Sequence, residues 1–150
     1  VGYATLQDLE TRLGPAQYVQ LTDDEGTGAA NTDRAQEALD AAEAEVDGWL
    51  ARRFQTPVEV AGEPQAAALL QAMTLDLAEY RLHARRPPVP AAVQEKANAA
   101  RRLLQDIATG RAHLPVSKPP VENPAYGQDS KVIGPQRIFR RDQETPNEPW

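Results

Sequence analysis

Apolar residues in the first two thirds of this chain recur at the three- and four-residue spacing of a helix, not at the alternation of a strand. Thr5 and Asp8 stand ahead of the stripe Leu6, Leu9 and Leu13, which reads as an N-cap followed by a short helix from Leu6 to Leu13, stopped by Gly14-Pro15. Tyr18, Val19 and Leu21 predict another turn of helix. The run Thr22 to Gly28 (TDDEGTG) is too polar and glycine-rich to continue it and is read as a loop.

From about Thr32 to Phe54, Ala35, Leu39, Ala42, Val46, Trp49 and Arg53 mark one face every three or four residues, with Ala38, Leu50 and Phe54 widening it. Glu37, Asp40, Glu43, Asp47 and Arg52 fall on the opposite, solvent-facing side. Pro57 and the Gly62-Glu63-Pro64 turn then lead to a helix over about Gln65 to Arg85, where Leu69, Leu70, Met73, Leu75, Leu77, Tyr80 and Leu82 cover most of the circumference. A helix apolar nearly all round belongs at the centre of a domain. Arg85-Arg86-Pro87-Pro88 breaks it, and Pro90 opens a last helix with the seam Val93, Ala97, Ala100, Leu104 and Ile107, closed by Gly110.

The expectation is an all-α fold: a small bundle of about four helices over residues 1–110, followed by an extended tail over 111–150. Seven of the thirteen prolines lie in those last forty residues (Pro115, Pro119, Pro120, Pro124, Pro135, Pro146 and Pro149), and no helical period survives there. Ordering backbone costs about 1–2 kcal/mol per residue, while each large apolar side chain returns roughly 1.5–3. The tail is therefore expected to order on a partner, through Ile138, Phe139, Arg140, Arg141, Asp142 and Trp150, which include the aromatic and arginine anchors that interfaces favour.

Composition narrows the function. Aromatics are 5% of the chain and alanine supplies much of the apolar 41%, which favours closely packed helices. A net charge of -6 argues against tight sequence-independent binding to DNA, since that affinity comes from cations displacing counterions. The absence of cysteine removes disulfides, thiolate catalysis and zinc-thiolate sites. The start Val1-Gly2-Tyr3-Ala4 is no signal peptide, and no apolar run approaches the ~20 residues of a membrane helix, so the protein is expected to be made in a cytoplasm and to contact no membrane.

Candidate chemistry is sparse. Asp23-Asp24-Glu25-Gly26-Thr27-Gly28 has some of the residues of a calcium loop, but counting from Asp23 puts Thr27 fifth and Arg34 twelfth, where ligands are needed. It is read as a solvated turn. His83 and His113 lack a second histidine at helical spacing and are expected at the surface or at helix ends. Acidic pairs such as Glu43 and Asp47 sit on the exposed face, not in a pocket, so no catalytic residue, metal or cofactor is expected. Arg81, Arg85 and Arg86, with Arg101 and Arg102, could form a basic patch for phosphates or another subunit, or pair with Glu79 and Asp106 as ordinary surface arginines.

Several ordered segments together resemble one family. They are Tyr3-Ala4-Thr5, Asp8-Leu9, Leu21-Thr22-Asp23 with its Gly26-x-Gly28 loop, the run from Ala38 to Leu50 (ALDAAEAEVDGWL) followed by Arg53-Phe54, Asp76-Leu77-Ala78-x-Tyr80-Arg81-Leu82, and Ile107-Ala108-x-Gly110. The chain is similar in these to the Mu-type phage head-tail joining proteins, from Tyr3 to Leu114, with an echo in Arg137 to Asp142.

The resemblance implies a small helical-bundle subunit of the virion, made in the host bacterial cytoplasm. Such subunits form a ring, commonly twelvefold, beneath the portal protein and above the tail or the next connector ring, around a channel through which DNA passes without specific binding. On that view Ile138, Phe139, Arg140 and Arg141 grip the portal, the arginine patch meets neighbouring copies, and Asp23, Asp24, Glu25, Asp40, Glu43 and Asp47 are candidates to line the channel. A different class of function, a monomeric helical module binding a protein through the Trp49 and Phe54 face, is the alternative.

Overall fold

The computed structural model describes residues 2–118. Among them are five helices and no strand: α1 (Leu6–Leu13), α2 (Pro15–Thr22), α3 (Thr32–Leu50), α4 (Pro64–Ala84) and α5 (Ala91–Thr109). The fold is all-α, as the periodicity predicts. The anchors Ile138, Phe139, Arg140, Arg141, Asp142 and Trp150 lie outside the described residues.

Each helix starts where its sequence provides a start. The Thr5 hydroxyl accepts the Asp8 backbone N–H at 3.2 Å, and the Asp8 carboxylate accepts the Thr5 N–H at 2.9 Å, a reciprocal cap that satisfies two otherwise orphaned donors. Gly14, at φ 80°, ends α1, and Pro15 opens α2 with a φ already suited to a helix. The single turn expected near Tyr18 is therefore a full eight-residue helix that includes Thr22, the first residue assigned to the loop. Thr22 is buried; its hydroxyl donates to the Tyr18 carbonyl and accepts the Asn31 N–H, joining the end of α2 to the start of α3. Asn31 in turn caps α3 by accepting the Arg34 N–H at 3.2 Å.

Helix α3 stops at Leu50, four residues before the periodicity suggests. Arg53 and Phe54 both direct their N–H groups at the Leu50 carbonyl, so the chain tightens into turns and Phe54 folds back into the core. Arg53, counted in the apolar stripe, reaches instead to the α5 terminus, where its guanidinium donates to the Ile107 carbonyl at 3.2 Å. Long stem and charged head serve different environments here.

Helix α4 is the axis of the bundle and touches all four others. Leu70, Leu77 and Leu82 are wholly buried on it, with Met73, Leu75 and Ala78 beside them. The α5 seam of Val93, Ala97, Ala100, Leu104 and Ile107 packs inward as expected, and Gly110 closes that helix in the left-handed conformation. The core continues past Gly110: Leu114 is 1% exposed, Val116 packs on the core, and the Ser117 N–H donates to the Glu63 carboxylate at 3.0 Å. Leu114, Val116 and Ser117, which fall in the stretch assigned to the tail, thus lie on the helical body. No helix among the described residues is long and apolar enough to cross a membrane.

Candidate functional site

The polar side chains that the sequence singles out resolve into three ties between elements. The first is centred on Glu45, on the flank of the buried stripe of α3. Its carboxylate accepts from Arg101 of α5 (2.7 Å) and from Arg81 of α4 (2.7 Å), so one acidic group joins three helices. The Arg101 guanidinium also lies over the Tyr80 ring, 4.9 Å from its centre. Burial by itself would push the Glu45 carboxyl up, but the hydrogen bonds and charges of Arg101 and Arg81 outweigh it and hold the group below the usual carboxylate range. The hydrogen bond that Arg101 donates to Glu45 raises the Arg101 pKa in turn.

The second tie closes the loop after α2. Asp23 turns its carboxylate inward on the loop and accepts the N–H groups of Gly28 (2.7 Å), Thr27 (3.1 Å) and Glu25 (3.2 Å), which lowers it below an ordinary aspartate. Asp24 points the other way and pairs with Arg85, Arg86 and Arg34. Hydrogen bonds from Arg85 and Arg86 lower it in turn. Arg86 also donates to the Gln20 and Asp23 carbonyls, so the end of α4 is laced to the α2 terminus. Asp23 behaves as a cap for a turn; among the described residues no cluster of three or more acidic or histidine side chains is placed to hold a metal ion.

The third tie fastens the N-terminal segment. The Tyr3 hydroxyl donates to Asp47 at 2.5 Å and accepts the Val58 N–H at 2.8 Å, while the Ala4 N–H donates to Glu43 at 3.3 Å. Burial, then the hydrogen bond to Asp47, raises the tyrosine. Glu43 and Asp47 were expected on an open face; they are half-buried beneath residues 2–4 because the N-terminal segment crosses that side of α3. Of the acidic residues proposed for a channel lining, Glu25 and Asp40 are exposed and make no ion pair among the described residues.

The arginine patch is not one surface. Arg81 and Arg101 converge on Glu45, Arg85 and Arg86 on Asp24, and Arg102 alone stands exposed without an ion pair among the described residues. Glu79 and Asp106, considered as their partners, are engaged elsewhere: Glu79 by Arg12 and Lys96, Asp106 by Arg111. Asp76 also pairs with Arg12, yet burial outweighs that attraction and raises its carboxyl. His83 is near the end of α4, as expected, but buried rather than at the surface, with its ring 3.2 Å from the Gln17 amide.

Glu45, Arg12 and Glu79 escape a reading by periodicity because charges on a helix are assigned to solvent by default. The one available signal is position, since Glu45 precedes the core residue Val46 and Glu79 lies in a helix apolar nearly all round. Trp49 is half-buried beside α5, whereas Phe54 belongs to the core, so the two do not form the joint exposed face considered above.

The described residues thus form a helical body laced by ion pairs between its elements, with charged outer faces. Comparison with known families gives it a place among them: residues 3–132 match the family described as Bacteriophage Mu, Gp36, and the chain belongs to that family. It is a protein of Mu-type phage. No curated protein matches it.

Proposed function

We propose that the chain is a non-enzymatic virion subunit, a head-tail connector. Copies of it form a ring between the portal protein and the tail or next connector ring, around the channel that DNA traverses without specific binding. The observation that carries this reading is membership of the Mu Gp36 family over residues 3–132, joined to the head-tail motif series of the sequence. The geometry supports it in one respect. The partly covered Arg12, Arg81 and Arg101 pair with acids of other helices within the bundle, which leaves outer faces free for neighbours.

Exposed Glu25 is the best placed of the acidic residues to face passing DNA, where repulsion between like charges discourages stalling. The tail anchors Ile138, Phe139, Arg140 and Arg141, with Asp142 and Trp150, engage the portal or adjacent subunits. The chain assembles after synthesis in the host bacterial cytoplasm.

Cryo-electron microscopy of assembled particles tests the assignment: a ring of this chain at the head-tail interface is expected, and its absence from particles overturns it. Deleting Lys131 to Trp150 should leave helical circular dichroism intact but abolish addition to purified portal-bearing heads. Normal addition by the shortened chain would remove the tail from the mechanism.

A further inference from the structure

Between α3 and α5 the surface is hollowed into an open groove of about 380 Å³, bounded by Trp49, Asn98, Arg101, Arg102 and Gln105. Arg102 is exposed at the groove without an ion pair among the described residues, while Arg101 beside it is held by Glu45, so the uncompensated charge of the groove is positive. Trp49 is half-buried and Arg102 exposed, the pairing of an aromatic and an arginine that carries binding energy at protein interfaces. Elsewhere on the molecule the outer stripe of α3 carries the opposite sign: Asp33, Asp40 and Glu37, the last paired with Arg34 of the same helix, are all exposed, and the stripe continues through Ala44 and Gly48, which leave room for close approach.

We propose that the Trp49–Arg102 groove seats the acidic outer stripe of α3 from a second copy of this chain. The contact is heterologous, one face of each copy meeting a different face of the next, which propagates around a ring instead of closing as a pair. This inference rests on the connector reading and names its subunit interface. Arg102 supplies the charge, Trp49 the apolar anchor, and Arg101 stays committed to Glu45 and so fixes the groove wall.

The test is a charge exchange in the full chain, read as copies bound per portal-bearing head. Arg102→Glu alone, and Glu37→Lys with Asp40→Lys alone, should each lower binding by at least about tenfold, because like charges then face one another. An equal mixture of the two variants should recover to within about threefold of wild type, since copies can alternate with every contact again complementary. That recovery also shows both variants to be folded. Either variant binding like wild type, or a mixture that fails to recover, overturns the proposal. If the wild-type chain itself does not add to heads, the connector reading fails; the same mixing is then followed by sedimentation of concentrated free protein, where no gain in association over either variant alone overturns the groove assignment.

Discussion

At the scale of single residues, Glu45 shows how a charge can be structural. Its side chain is 18% exposed and its partners come from two other helices, so losing it leaves two guanidinium groups facing each other. Glu45→Gln should cost about 1–2 kcal/mol in urea denaturation at neutral pH, less than the 3–5 of a fully buried pair because water still screens this one. The folded protein holds the Glu45 carboxyl below its unfolded value near 4.5, so the folded state binds fewer protons than the unfolded chain. The stabilisation is complete above that value and is lost as pH falls through the lower, folded one. The difference between wild type and Glu45→Gln should therefore shrink below about pH 4.5; a gap that persists undiminished in acid would show that packing, not charge, is responsible. Asp76, raised by burial, contributes with the opposite sign, so the comparison of the two proteins is the informative quantity.

Among the elements, α4 carries the most weight: like α3 it is in contact with every other helix, but it buries more of its own side chains. Leu77 is wholly buried there, and Leu77→Ala should cost about 2–5 kcal/mol, seen as a lowered midpoint of denaturation with an unchanged slope. A loss under about 1 kcal/mol would mean that α4 is not the packing centre. The periodicity located α3, α4 and α5 to within a few residues, since an apolar stripe over five turns has only one helical solution. It was weakest where the helix was short or the stripe ambiguous. Helix α2 has just Tyr18, Leu21 and Thr22 buried, too few positions to show a period. At the end of α3, Phe54 is in register with the stripe but reaches the core through a tightened turn, a distinction that spacing alone does not contain.

At the scale of the whole molecule, the folded body continues beyond the last helix. Leu114 is buried and Val116 packed, while Ser117 bonds to Glu63 at the entry to α4. A chain ending at Lys118 should therefore exceed one ending at Gly110 in stability by about 2–3 kcal/mol, the transfer energy of one buried leucine plus a partly covered valine. Equal denaturation midpoints for the two would place the boundary at Gly110. Pro115 and the prolines that follow this segment suggested detachment, yet proline excludes helix without excluding packing.

The sequence by itself determined the all-α class, the central position of α4, the caps at Thr5 and Gly110, and the family resemblance, because each depends on residues close together along the chain. Only the tertiary structure decided which charges meet. Arg81 and Arg101 find Glu45 from positions 36 and 56 residues away, and Arg85 finds Asp24 across 61. Such pairings follow from how whole helices rotate and slide against one another to fill the core. Local spacing fixes the face a side chain occupies on its own helix, while the packing of the other helices fixes what that face meets.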